Sequence, residues 1–227
     1  MKELVENILP YERNLFFLLN GSESVFLDNI MFTVSVTKVW IPLYLFVLFL
    51  VFYKTPKKDA LLVTLSFILM IVLCDQFSSG LIKPFFERLR PGHHPDFKDV
   101  VDLVNGRRGG GFSFISGHAT NCFGFAVFLS FVFRNRWVTL VALVWATLIG
   151  YSRIYLGMQF ISDVVGGMLA GTFIAIILYT AFIPLRKKLF KLKQSEKTRI
   201  YPEQHGKLLS LVFVIYLFTV TILFSQF

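Results

Sequence analysis

The chain has 227 residues, of which 55% are hydrophobic and 16% charged, and its mean hydropathy is +0.65. Soluble domains are about one quarter charged and disordered chains have low hydrophobicity, so this composition excludes both classes. The formal net charge is +9. In a chain this apolar, the surplus indicates orientation in a membrane rather than binding to nucleic acid. Cys74 and Cys122 lie in apolar stretches without metal-ligand spacing and predict no disulfide framework.

The N-terminal segment differs from the rest of the chain, because residues 4–20 mix apolar side chains with acidic residues and Arg13. This mixture predicts an interfacial helix that lies on the membrane surface. Pro10 is expected to kink the helix, and the Asn-Gly-Ser sequence at residues 20–22 is expected to end it. The acidic N-terminus does not resemble a cleavable signal peptide.

Six apolar runs lie beyond this segment, and about 20 apolar residues of helix cross a bilayer. The predicted spans are 26–53, 60–82, 118–133, 137–153, 163–185 and 208–227. The sequence therefore predicts an all-α fold, an integral membrane bundle of six transmembrane helices in a single domain covering residues 1–227. Asp75 inside the second span must face the bundle interior, either for function or to pair with a partner such as Lys38. Close helix packing is expected at the small residues of the fifth span, Gly166, Gly167 and Gly171.

The loops predict which way the bundle sits, since Lys and Arg accumulate on the cytoplasmic side. One set of alternate loops carries thirteen basic residues and only three acids, Asp59, Glu196 and Glu203. The basic residues are Lys54, Lys57, Lys58, Arg134, Arg136, Arg186, Lys187, Lys188, Lys191, Lys193, Lys197, Arg199 and Lys207. We therefore expect both termini and the long loop from residue 83 to 116 to lie on the outer face. The basic cluster 186–193 is expected to meet anionic membrane lipids.

Polar residues recur at the outer ends of the predicted spans. Lys83 and Arg90 lie seven residues apart beyond the second span, and Arg153 closes the fourth. Cations brought to one interface repel each other unless they share an anion, and a phosphate suits both the fork of Arg and the point charge of Lys. Ser116 and Gly117 begin the third span, where free backbone N–H groups favour an anion. Each element alone is explained by lipid anchoring or helix capping, but their combination predicts a phosphate site.

His118 comes directly after Gly117 and adds a proton donor or acceptor that works near neutral pH. Together the segments Lys83-x6-Arg90-Pro91, Ser116-Gly117-His118 and Ser152-Arg153 with Asp163 ten residues on resemble the three-part signature of the type 2 phosphatidic acid phosphatase superfamily. These are integral membrane lipid phosphatases related to soluble vanadium haloperoxidases. The resemblance covers residues 83–163 by motif and the six-span layout by architecture.

The resemblance implies a role for each matching residue. Lys83, Arg90 and Arg153 would bind the phosphate, which Ser116 and Gly117 help to cradle. His118 would protonate the leaving oxygen as general acid. Asp163 would orient a second His that attacks phosphorus and becomes a phosphohistidine. No metal and no cofactor are implied.

Two positions depart from the family pattern. Ile115 stands where the family usually has Pro, and Gln159 stands at the position of the nucleophilic His. An amide nitrogen has a delocalised lone pair, so Gln159 is expected to end covalent catalysis. We hypothesise that Gln159 is an engineered replacement that silences an active phosphatase. A natural, non-hydrolytic lipid-phosphate binder is the competing hypothesis.

Two further polar features lie in the long loop. The glycine-rich segment 106–111 contains Arg107 and Arg108 and lacks the strand and the Lys-Ser/Thr ending of a nucleotide phosphate loop. Its arginines either touch a second phosphate or a sugar on the substrate, or they are solvated. His93 and His94 are expected to be solvated loop residues rather than metal ligands.

The resemblance thus implies a metal-independent lipid phosphate phosphatase that hydrolyses a phosphomonoester or pyrophosphate at the outer face, here inactivated or impaired by Gln159. The expected location is the bacterial inner membrane, with the site facing the periplasm or cell exterior. A lipid phosphotransferase would use the same residues, and a transporter has only Asp75 and Lys38 in its favour. Undecaprenyl pyrophosphate, phosphatidylglycerol phosphate, phosphatidic acid and lipid A all stay open as substrates, as does the oligomeric state.

Overall fold

Long apolar helices make up most of the chain in the computed structural model, which describes residues 2–191 and 199–223. Within these residues every regular element is helical, so the predicted all-α fold is confirmed. The α-helices are α1 (Lys2–Glu6), α2 (Leu9–Leu19), α3 (Val25–Ser35), α4 (Ile41–Phe52), α5 (Lys57–Asp75), α6 (Lys83–Phe86), α7 (Gly117–Phe133), α8 (Arg136–Tyr155), α9 (Ile161–Phe190) and α10 (Glu203–Leu223).

Four helical segments of the described chain are long and apolar enough to cross a membrane. They are Lys57–His93, Arg136–Tyr155, Ile161–Phe190 and Glu203–Ile222, the first of which joins α5 to α6 through the π-helix Gln76–Ile82. The bent pair of α3 and α4 adds a fifth if it counts as one span, and α7 is a shorter apolar helix. The chain is an integral membrane protein, and the count of six spans stays a prediction. Residues 224–227 of the sixth predicted span, and Lys193, Glu196 and Lys197 of the basic loop, lie outside the described residues.

The first predicted span is broken in the structure. Val25–Ser35 and Thr37–Phe52 meet at an angle of 68° around Val36. Pro42 lies in the first turn of α4, where a residue without an N–H group is tolerated at a helix start but not in a helix interior. The break leaves Ser35 at the end of α3, where its hydroxyl accepts a hydrogen bond from Arg153.

Helix α7 is the centre of the bundle and packs against α5, α8 and α9. The approach of α9 depends on glycine, because a Cβ added to Gly171 would lie 2.1 Å from the Thr120 carbonyl oxygen. A Cβ on Gly167 would lie 2.5 Å from the Ser116 carbonyl oxygen. The predicted small-residue packing face is therefore confirmed, and it fixes the start of α7 against α9.

Helices α1 and α2 have two different faces. The apolar residues Leu4, Ile8, Tyr11, Leu15 and Leu18 are exposed and recur at helical spacing. The opposite face turns inward, and its Phe16 packs against the rings of Phe97 and Phe160. The exposed apolar row supports the prediction of an interfacial helix, while the inward face attaches that helix to the site end of the bundle.

Candidate active site

Three cations that are far apart in the sequence line one cavity of about 250 Å³. Lys83 begins α6, Arg90 comes shortly after that helix, and Arg153 lies in the last turn of α8. His118 and Gln159 lie in the same wall. The remaining wall residues are Asp75, Ser79, Ser116, Gly117 and Asn121. Seven of the eight site residues predicted from the sequence therefore meet at one place.

Arg90 is held in position by carbonyl groups. Its Nε–H donates to the Gly110 carbonyl at 2.9 Å, and its Nη1 donates to the Met158 carbonyl at 2.9 Å. The loop passes so closely over Arg90 that a Cβ on Gly109 would lie 3.1 Å from the Arg90 Cδ, and Gly109 has a φ of +66°. Glycine is therefore required there for both space and backbone conformation. Carbonyl groups thus orient the guanidinium, and no ion pair of Arg90 with a carboxylate is found among the described residues.

Arg153 is also incompletely satisfied. Its Nη1 donates to the Ser35 hydroxyl, whereas its buried Nε has no hydrogen-bond partner among the described residues. Across residues 2–191 and 199–223, no ion pair joins Lys83, Arg90 or Arg153 to a carboxylate. Uncompensated charge away from water is costly, so the arrangement of these cations favours an anion in the cavity.

The N-terminus of α7 adjoins the cations. Ser116 is the capping residue of α7, and its hydroxyl accepts from the Ala119 N–H at 3.4 Å. A Cβ on Gly117 would lie 3.6 Å from the Lys83 Nζ, so the glycine stands directly beside the ammonium group. Because the first N–H groups of a helix have no internal partner, they favour an anion at this point.

Gln159 is almost fully buried, with 2% of its surface exposed. Its backbone N–H donates to the Arg153 carbonyl at 3.1 Å, which places it beside the last turn of α8. Its side-chain Oε1 is buried and has no hydrogen-bond partner in the described part of the chain. Gln159 therefore shares the cavity wall with the three cations, and its side-chain oxygen is an acceptor without a donor among the described residues.

Asp163 is the predicted site residue that the structure does not bring to the cavity. Its carboxylate accepts from Arg88 Nη1 at 2.7 Å, from the Ser113 hydroxyl, and from the Phe160 N–H at 2.8 Å. Both carboxylate oxygens are thus engaged, and none of the hydrogen bonds described for Asp163 involves Gln159. Its full burial is made possible by the charge of Arg88 beside it.

Sequence reasoning missed Arg88, which is fully buried. Its guanidinium bridges Asp163 and Glu12, with Nη2 2.8 Å from Glu12 Oε1, and lies 4.5 Å from the centre of the Phe160 ring. Glu12 also accepts from the Ser162 N–H at 2.7 Å. The sequence contained one indication of this buried ion pair, because Glu12 is an acid on the otherwise apolar inward face of α2. The network ties the interfacial helix to the start of α9.

The other polar candidates are placed more simply. Asp75 lines the cavity and accepts from the Ser79 hydroxyl at 3.4 Å, while Lys38 is exposed. His94 is buried and lies 3.0 Å from Glu6 Oε2, so the expectation of a solvated loop residue is wrong for it. His93 is exposed, as expected, and its ring Nε2 lies 3.0 Å from the Gly109 carbonyl.

The fold and the cavity together define a helical membrane protein with a cation-lined cavity at one end of its helices. The chain belongs to the PAP2 superfamily, whose family model matches residues 61–187. It is 42% identical over 184 residues to a lipid A 4'-phosphatase of Porphyromonas gingivalis, covering 81% of this chain and 78% of that protein. A lipid A 4'-phosphatase of Bacteroides thetaiotaomicron is 36% identical, covering 75% of this chain and 76% of that protein.

A solved structure has the same fold. The crystal structure of Aquifex aeolicus LpxE matches with a TM-score of 0.57 and 27% identity, covering 75% of this chain and 95% of that one. The family model spans the cavity residues from Lys83 to Gln159. The family resemblance of the three motifs is therefore confirmed.

Proposed function

We propose that this cavity binds the phosphate of a membrane lipid, and that the protein is a lipid phosphate phosphatase acting on a phosphomonoester or diphosphate. The observation that carries the proposal is the meeting of Lys83, Arg90 and Arg153 in one cavity without a paired carboxylate among the described residues. A phosphate supplies the missing negative charge, and its oxygens match the donors of Arg and Lys.

A lipid substrate and an outer-face location are supported by the position of the site. The cavity lies where several apolar helices end, so a lipid reaches it by lateral diffusion with its headgroup at the interface. The excess of Lys and Arg in the opposite loops supports an orientation with the site facing the periplasm. Two relatives come from bacteria, and the proposed location is the bacterial inner membrane.

The proposed chemistry uses each wall residue for one task. Lys83, Arg90 and Arg153 hold the non-bridging oxygens, with the N–H groups at the start of α7 beside them. His118 gives its proton to the ester oxygen as the bond between phosphorus and that oxygen breaks. In a phosphohistidine mechanism a His at position 159 forms the new bond to phosphorus. Water then breaks that bond and releases inorganic phosphate.

Gln159 has no nitrogen lone pair available for this attack. The chain with Gln159 is therefore proposed to bind a lipid phosphate and to turn it over slowly or not at all. Arg153 and the other cations remain in place, which supports the hypothesis that Gln159 silences an otherwise complete phosphatase.

Lipid A is the first substrate to test, because two relatives are lipid A 4'-phosphatases. The experiment compares the unaltered chain, Gln159→His and the amide-retaining control Gln159→Asn. Phosphate release is measured from lipid A, undecaprenyl pyrophosphate, phosphatidylglycerol phosphate and phosphatidic acid. Loss of a catalytic nucleophile costs enzymes on the order of a thousandfold or more, so Gln159→His is expected to gain activity on that scale.

The silenced-phosphatase hypothesis predicts phosphate release by Gln159→His and none by Gln159→Asn. If no lipid phosphate is hydrolysed by Gln159→His while all three proteins bind it, the silenced-phosphatase hypothesis is wrong and a non-hydrolytic binder is favoured. Inclusion of an acceptor lipid separates hydrolysis from phosphoryl transfer, because only transfer yields a phosphorylated acceptor in place of free phosphate.

A further inference from the structure

A second cavity, of about 300 Å³, adjoins the phosphate cavity. Arg90, His118 and Arg153 line both spaces, so the two cavities meet at these residues. Lys83 and Gln159 line only the first. The volume of the second cavity lies at the lower end of the range of small-molecule sites, about 300 to 1,000 Å³.

The wall of the second cavity combines polar groups with an apolar side. Ser35 and Thr37 come from the break between α3 and α4, and Arg107 comes from the glycine-rich loop. The guanidinium carbon of Arg107 lies 4.7 Å from the centre of the Phe32 ring, a favourable cation–π distance. Arg107 is exposed, so the cation stands at the mouth of the cavity. Its neighbour Arg108 is equally exposed but is not part of the wall.

The proposed role of His118 indicates which part of the substrate the second cavity would hold. If His118 protonates the leaving oxygen, then the rest of the substrate must begin at His118 and extend away from Lys83. A third cavity also touches His118 and shares Ser35 and Thr37 with the second, but it holds only about 100 Å³. That volume is well below the range of small-molecule sites, so a headgroup does not fit there. The cavity that ends at Arg107 offers a headgroup the larger space beside His118.

We propose that the second cavity is the leaving-group subsite and that Arg107 binds a second anionic group on the substrate, so that substrates with two phosphates are preferred over substrates with one. The proposal rests on the proposed function, since it needs the scissile phosphate beside Lys83. Ser35 and Thr37 supply hydroxyl groups for the polar part of the headgroup. The second phosphate comes either from a separate position on a sugar headgroup or from a diphosphate, and both offer the same chemistry to Arg107.

The test measures equilibrium binding to the unaltered chain in detergent micelles, with two matched ligand pairs. One pair is lipid A with two phosphates and its monophosphorylated form with the same acyl chains. The other is undecaprenyl pyrophosphate and undecaprenyl phosphate. The readout is the affinity ratio within each pair. Arg107→Ala is expected to lower that ratio roughly 3- to 10-fold in at least one pair, since an exposed charge-assisted contact is partly screened by salt.

The matched control is Arg108→Ala, which removes the same charge one residue away and is expected to keep both ratios. Arg107→Lys retains the charge and is expected to keep most of the preference. A fall for lipid A alone identifies a separate phosphate, and a fall for the undecaprenyl pair alone identifies a diphosphate. Unchanged ratios in Arg107→Ala, or equal falls in Arg108→Ala, overturn the proposal.

Lys83→Ala separates this inference from the proposed function. If Lys83→Ala leaves binding of the monophosphorylated lipids intact, the phosphate site itself is wrong and the subsite falls with it. If Lys83→Ala abolishes binding while Arg107→Ala does not change the ratios, only the leaving-group subsite is wrong.

Discussion

Arg88 and Arg90 are two residues apart and both are buried, yet their charges are handled in opposite ways. Arg88 lies between the carboxylates of Glu12 and Asp163. Arg90 is held by two backbone carbonyls and has no carboxylate partner among the described residues. The first charge is paired within the protein, whereas the second is proposed to be paired by an anion from outside. The two arginines therefore differ in their carboxylate partners. Arg88 has two and stabilises the fold, whereas Arg90 lies in the cavity without an ion pair among the described residues.

The same contrast predicts how each region responds to phosphate. A ligand that binds only the folded state stabilises it by mass action. Phosphate bound by Lys83, Arg90 and Arg153 is therefore expected to raise the free energy of unfolding. The charge of Arg88 is paired within the protein, so its network is expected to contribute the same stability in either buffer.

The largest effect is expected for Arg88→Ala. This change leaves the carboxylates of Glu12 and Asp163 buried without their cation, and breaking a buried pair in this way costs about 3 to 5 kcal/mol. Thermal unfolding in detergent should show a large fall in melting temperature, with and without phosphate. A melting temperature close to that of the unaltered chain would mean that the network does not hold the fold.

Arg90→Ala should behave differently from Arg88→Ala. Removal of one of three mutually repelling cations is expected to leave the melting temperature in phosphate-free buffer unchanged or slightly raised. The rise on addition of phosphate should shrink, because a lost hydrogen bond to a charged group is worth about 1.5 to 3 kcal/mol of binding. The contrast between the two arginines is contradicted if Arg90→Ala lowers the melting temperature of the phosphate-free protein as much as Arg88→Ala does.

A smaller effect is expected for Glu12→Gln. The cation of Arg88 keeps its contact with Asp163, so the loss is confined to the charge-assisted contacts of Glu12, about 1.5 to 3 kcal/mol. The measurement is again the melting temperature, together with proteolysis of the N-terminal segment. Glu3→Gln is the matched control, because Glu3 is an exposed acid in α1. Equal effects of the two changes would contradict a specific anchoring role for Glu12.

Much of the cavity was predictable because its residues occur in three short motifs. The spacing of Lys83, Arg90 and Arg153 relative to the apolar runs placed them on one face of the membrane. Helix ends that share a face of a bundle can then meet, and in the structure they do. The small-residue face of α9 was predictable for a similar reason, because Gly171 lies on a regular helix.

The rest depends on contacts between distant parts of the chain. Glu12 and Arg88 are 76 residues apart, and an arginine beside the phosphate-binding motif looks the same in sequence whether it binds a ligand or a carboxylate. The engagement of Asp163 with Arg88 could not be foreseen for the same reason. The 68° break after α3 was also missed, because the apolar run resumes directly after Thr37 and Lys38 and predicted one continuous span.

The central claim is that three unpaired cations form a phosphate site, and calorimetric titration of inorganic phosphate into the detergent-solubilised chain tests it most directly. The predicted result is saturable binding that Lys83→Ala weakens by about tenfold or more, while Arg108→Ala leaves it unchanged. Binding that is equally strong in Lys83→Ala and Arg108→Ala, or no saturable binding to the unaltered chain, would contradict the claim.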